Sequence, residues 1–157
     1  MTAPSPTSTV AFRDLRAGDE IPPCVIDVTA TRIVAGAIAS RDFMPVHHDR
    51  AYANSQGAPD IFMNILSDTG YCSRFLTDWA GPEAMIRRLA IKLGVPLFPD
   101  TALTYSGTVT STRVEDGEGI VDVELRATTR LGDHVTGVAT LSLPLGAPST
   151  SPRTTKD

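Results

Sequence analysis

Apolar and polar positions divide this chain into a helix-forming first half and a strand-forming second half. From Asp60 to Trp79, the residues Ile61, Ile65, Cys72, Phe75 and Trp79 recur at helical spacing, and Phe62, Leu66 and Leu76 widen the stripe. The pattern predicts one long helix over 60–79, with Asp60 as its N-cap and Gly81-Pro82 as its stop. Gly70 falls mid-helix, where glycine costs about 1 kcal/mol against alanine, and is expected to mark close approach of a neighbouring backbone. Upstream, Cys24–Val28 alternates as a strand, and Thr31–Ser40 reads as a short helix capped by Thr29 or Thr31. Its buried stripe is Ile33, Val34, Ala37 and Ile38. Arg41–Arg50 is polar, carries Pro45 and reads as a loop; Ala51–Asn54 is one helical turn, and Gln56–Pro59 a connection.

After Glu83 the period changes to 2. Strands are predicted over 85–94, 102–114, 119–131 and 134–144, with Leu131-Gly132-Asp133 as a tight hairpin. A long helix before a meander of long strands is an α+β pattern, in which a sheet can wrap one buried helix. Residues 1–9 and 146–157 are rich in Pro, Ser and Thr and read as disordered tails around a single domain over 10–145.

Composition narrows the function. Of 157 residues, 41% are hydrophobic and 20% charged, the balance of a globular protein. The net charge of −4 and the presence of only two lysines, Lys92 and Lys156, exclude the basic face that a nucleic-acid binder needs. The longest apolar run, Ile33 to Ala39, has seven residues, against the ~20 that span a bilayer, so no membrane partner is expected. The N-terminal stretch lacks a secretory pattern, which predicts a cytoplasmic protein. Cys24 and Cys72 lie far apart and read as two packed thiols.

Two of the three histidines are adjacent, in Arg41-Asp42-Phe43-Met44-Pro45-Val46-His47-His48-Asp49-Arg50. Asp42 and His47 stand five apart across a proline-containing loop that can turn both toward one point. A carboxylate and an imidazole sharing a water form a proton-transfer pair. The same residues also fit a solvated polar loop, and His47, His48 and Asp49 a poor metal set, since adjacent histidines rarely face one ion. His134, in the hairpin turn, is expected to be exposed. Asp68 lies on the apolar stripe, either as a paired buried acid or as a sign that one end of the stripe is wet. The free N–H groups where the long helix starts could stabilise an oxyanion. Arg87, Arg88 and Lys92 could contact phosphates or belong to a solvated strand face.

The stretch Ser40-x-Asp42-x-x-Pro45-Val46-His47-x-Asp49-x-x-x-Ala53 resembles the motif of the MaoC-like, R-specific enoyl-CoA hydratases. A branch of that family, the small MaoC-like subunits of actinobacterial steroid side-chain enoyl-CoA hydratases, is also similar at Asp60-Ile61-Phe62, Asn64-Ile65-Leu66, Asp68-Thr69-Gly70, Thr77-Asp78-Trp79-Ala80-Gly81-Pro82 and Leu131-Gly132-Asp133-His134-Val135-Thr136. The resemblance implies a hotdog fold, with an antiparallel sheet around one central helix. It implies Asp42 and His47 as the catalytic pair and the backbone amide of Phe62 as the oxyanion donor. It further implies a steroid side-chain enoyl-CoA as substrate, in cholesterol or steroid catabolism, with no metal and no cofactor beyond the substrate's own CoA. The implied partners are a second MaoC-like chain in a hetero-oligomer and, in the same pathway, a thiolase-type aldolase. Two departures from the family pattern stand out: Met44 where an Asn is usual, and Ile61-Phe62 where His-Gly is usual. The alternative among enzymes is a hotdog thioesterase; outside enzymes stand a catalytically silent structural subunit and a binding module for lipids or acyl chains. A long uncovered edge strand would in any case invite a partner.

Overall fold

The computed structural model describes residues 8–146. Strand β1 (Glu20–Val28) leads into helix α1 (Ala30–Ala39), then a short 3-10 turn (Pro45–His47), helix α2 (Arg50–Ser55) and the long helix α3 (Ile65–Ala80). Strands β2 (Met85–Leu93), β3 (Thr101–Glu115), β4 (Glu118–Thr129) and β5 (Gly132–Leu143) follow. All pair antiparallel in one sheet of order β1-β3-β4-β5-β2. Only β3, β4 and β5 form the expected meander; β2 crosses to the far edge and pairs with β5.

Helix α3 lies on the sheet and supplies the middle of the core. Cys72, Phe75, Leu76 and Ala80 are buried on it, against Leu103, Tyr105, Val123 and Leu141 of the strands. Phe75 stacks on Tyr105 with ring centroids 5.5 Å apart. Each large apolar side chain buried this way contributes about 1.5–3 kcal/mol, and truncating Phe75 would cost about 3–5 kcal/mol. Burial pushes the Cys72 thiol up to about 12, reinforced by the nearby Asp68 charge, so this cysteine is an inert core residue.

Several expectations are corrected. Helix α3 begins at Ile65, not Asp60, because Asn64 is the residue whose side chain caps it, accepting from the Ser67 N–H. Asp60 instead accepts from its neighbour Ile61 N–H and from Arg50. A β-carbon at Gly70 would meet nothing within 4 Å. The close approach falls at Gly36 of α1, where a β-carbon would stand 2.4 Å from Ser67 Oγ. In α1, Ile33 and Ala37 are buried but Ile38 is 58% exposed, because that face turns to solvent. Cys24 is exposed on β1, so only one of the two thiols is packed. Thr9, read as tail, is anchored: its hydroxyl accepts from Glu83 N–H, and Val10 N–H bonds to Ala80 O. Of the expected tails, residues 1–7 and 147–157 lie outside the described residues. Among the described residues, no helix is long and apolar enough to cross a membrane.

Candidate active site

The loop after α1 is aimed by its first two residues. Arg41 N–H bonds to Ile38 O and Asp42 N–H to Ala37 O, the paired bonds of a Schellman helix end. That motif needs a left-handed residue, and here Arg41 takes it, with φ 58°. A side chain in this region costs about 1–2 kcal/mol, a strain concentrated next to Asp42. Pro45 then opens the 3-10 turn, in which His47 N–H bonds to Met44 O and His48 N–H to Pro45 O. One turn of this helix sends adjacent side chains to different sides. His47 points inward and is 7% exposed; His48 is exposed, and Asp49 caps α2 by accepting from Tyr52 N–H. The three therefore do not converge on one point.

Asp42 and His47 do converge. Asp42 Oδ2 lies 3.4 Å from His47 Nε2, with side-chain exposures of 26% and 9%. The other ring nitrogen, Nδ1, lies 2.7 Å from Phe62 O. A carbonyl oxygen only accepts, so Nδ1 carries a proton and Nε2 is the nitrogen offered to Asp42. The Phe62 ring also packs edge-on against the imidazole at 5.2 Å.

Asn64, which the sequence offered only within a stretch resembling the steroid-hydratase branch, completes the site. Its Nδ2 donates to Asp42 Oδ2 and to Ser40 Oγ, both at 2.9 Å. Its Oδ1 caps α3, so one buried amide fixes the helix start and the carboxylate together. The signal was visible as an Asn immediately before an apolar helical run, but the choice of Asp60 as cap concealed it. The hydrogen bond from Asn64, then that from Met44 N–H, holds the Asp42 carboxyl below the usual carboxylate range, against the opposing effect of burial. Asp42 is thus ionised near neutrality and can accept a proton.

Phe62 reaches the site differently from expectation. It lies before α3, and its N–H faces the Val46 carbonyl oxygen at 3.4 Å, while its own carbonyl holds His47. The first-turn N–H groups without an intrahelical acceptor belong instead to Ile65 and Leu66. His134 is not exposed but 2% accessible, bound to Asp68, because the hairpin tucks it under the β2–β3 connection. This resolves Asp68 as a paired buried acid. Arg87 is engaged by Glu118 and Ser142, while Arg88 and Lys92 stand on the exposed face of β2. A cavity of about 490 Å³ between β1 and α3, and one of about 640 Å³ on the sheet, have linings that do not include Asp42 or His47.

No family model matches the chain. It is 47% identical over 113 residues to the 3-oxo-4,17-pregnadiene-20-carboxyl-CoA hydratase beta subunit of Mycobacterium tuberculosis, across 72% of this chain and 84% of that one. Among solved structures, it matches a chain of the ChsH1-ChsH2 complex from Mycobacterium tuberculosis with a TM-score of 0.76 and 44% identity, covering 82% of this chain and 98% of that one. The (R)-hydratase from A. caviae involved in PHA biosynthesis shares the fold, with a TM-score of 0.76 at 24% identity, over 84% of this chain and 99% of that one. The hotdog architecture and the antiparallel sheet over α3 agree with these neighbours. The chain belongs to the MaoC-like hydratase family, in the branch of the steroid-degrading hydratase subunits.

Proposed function

We propose that this chain hydrates an α,β-unsaturated acyl-CoA thioester of a steroid side chain, with Asp42 and His47 handling one water. The observation that carries the reading is the pairing of Asp42 Oδ2 with His47 Nε2 at 3.4 Å, on a partly open surface, with both groups fixed from behind by Asn64 and Phe62 O. A water in front of the pair gives one proton to the Asp42 carboxylate as its oxygen bonds to Cβ. The π electrons move toward the thioester carbonyl, Asp42 passes the proton it has taken across to His47 Nε2, and Nε2 delivers that proton to Cα. Asp42 ends as a carboxylate and His47 keeps its Nδ1–H, so both groups finish as they began. The N–H groups of Ile65 and Leu66 are our choice to polarise the thioester oxygen, in place of the Phe62 amide. The exposed apolar side chains of Phe43 and Met44, beside Asp42, and of Ile65 and Leu66 suit an apolar acyl group.

The substrate class is supported by the pregnadiene-carboxyl-CoA hydratase relative. A second MaoC-like chain as partner is supported by the two-subunit complex among the neighbours. Among the described residues, β2 pairs with β5 on one side only, which leaves its other edge to such a partner.

The test is turnover of a steroid enoyl-CoA and a short straight-chain enoyl-CoA, by the chain alone and co-expressed with a MaoC-like partner. Hydration that is lost in Asp42→Ala and His47→Ala supports the reading. Folded protein with no turnover in any combination makes the chain a structural subunit, and release of CoA thiol makes it a thioesterase.

A further inference from the structure

A second Asp/His pair lies in the interior. His134 Nε2 is 3.0 Å from Asp68 Oδ1, with side-chain exposures of 2% and 0%. His134 Nδ1 is 2.7 Å from Val95 O, so this ring, too, donates from Nδ1 to a carbonyl. Asp68 stands on α3, and Val95 on the connection between β2 and β3. The pair therefore clamps that connection to the central helix. The backbone reinforces the clamp, since Gly94 N–H bonds to His134 O and Val95 N–H to Asp133 O. A β-carbon at Gly94 would stand 2.3 Å from Asp133 O, so only glycine permits this approach.

From the clamp, contacts run on to the open site. Leu97, 1% exposed, accepts the Met63 N–H at 3.0 Å. The Phe98 ring meets the Phe62 ring edge-on at 6.4 Å. Phe62 presents its carbonyl to His47 Nδ1 and its ring to the imidazole. Asp42 hangs from Asn64, the cap of α3, while His47 hangs from Phe62, held against residues 97–98. Asp68–His134 joins the two bodies from which the two halves of the open pair are held.

We propose that Asp68 and His134 are positioning residues for His47, acting by fixing the 94–98 connection and, through it, the Phe62 carbonyl. The proposal rests on the hydratase reading only where it concerns turnover. An apolar pair of similar volume would fill the same space without a buried unpaired charge. It could not bond to Val95 O, and that bond is what sets the height of the connection over α3.

The test follows the His47 ring directly, by ¹⁵N NMR of imidazole-labelled full-length protein, beside steady-state kinetics. In the wild type the His47 signals should report a proton held on Nδ1. Asp68→Ala and His134→Leu should release it to a mixture of tautomers, with kcat lowered about 10- to 100-fold and KM within about twofold. Asp68→Asn, whose amide can still bond to His134 Nε2, should restore the His47 signals and most of kcat. Phe98→Leu leaves the buried pair intact and should shift the His47 signals in the same direction by less, which keeps the test decisive if the core variants do not fold. Unchanged His47 signals in folded Asp68→Ala or His134→Leu, or in Phe98→Leu if those do not fold, would overturn the proposal. If the wild type turns over no enoyl-CoA, the hydratase reading fails and the tautomer measurement still decides this one.

Discussion

The protein contains the same chemical unit twice. In both Asp/His pairs the imidazole gives Nδ1–H to a main-chain carbonyl at 2.7 Å and turns Nε2 to a carboxylate. They differ in access and in spacing. Asp42–His47 is 3.4 Å apart with the carboxylate 26% exposed; Asp68–His134 is 3.0 Å apart and sealed. The first pair opens to solvent, as the proton exchange proposed for it requires. The second is sealed, which suits the positioning part proposed for it. Composition and pairing are alike in the two; solvent access sets them apart.

The largest expected effect separates the two pairs outright. Asp42→Ala or His47→Ala should lower hydration at least ~100-fold, while the denaturation midpoint stays near that of the wild type. Asp68→Ala should do the reverse in stability, costing about 3–5 kcal/mol in urea unfolding, because it leaves a buried partner unpaired. The double variant Asp68→Leu with His134→Leu should recover much of that loss, since two apolar side chains carry no uncompensated charge. A double variant as unstable as Asp68→Ala would show that the clamp, not the charge, holds the core.

A subtler comparison uses pH. Asn64→Ser keeps an N-cap for α3 but cannot reach Asp42. With the hydrogen bond gone, the depressed Asp42 pKa rises, so the acid limb of the rate profile should move to higher pH with only a small change in melting temperature. In the sealed pair, burial pulls the His134 pKa down, but the hydrogen bond and charge of Asp68, with Val95 O, carry it above its ordinary 6.5. A raised imidazole value contributes stability that is full below 6.5 and is lost as pH rises through the folded-state value. Unfolding free energy measured from pH 6 to 9 should fall accordingly, and the slope should flatten in His134→Leu. The smallest effect is expected at Arg41→Gly, which removes the left-handed strain beside the open pair and should stabilise by at most about 1 kcal/mol.

Much of the open site was legible because it is local. Asp42, Pro45 and His47 lie within one loop, and a proline after a helix end constrains where the two side chains can go. The sealed pair was not legible, since 66 residues separate Asp68 from His134 and only the crossing of β5 under the β2–β3 connection unites them. His134 read as exposed because a hairpin position usually is. Phe62 was singled out for its N–H, yet contributes its carbonyl, because the helix starts at Ile65 and the chain before it runs in a different direction.

By itself the sequence determined the α+β order, the existence of the long helix, the approximate extents of β2 to β5 and the Asp42/His47 loop, while β1 begins four residues before the expected Cys24. These follow from apolar periodicity and turn chemistry, which act over a few residues. Tertiary structure alone decided that β2 lies at the far edge, that Asn64 reaches Asp42, and that Asp68 meets His134. Such contacts depend on how elements pack, and packing answers to the whole core at once rather than to any local run of residues.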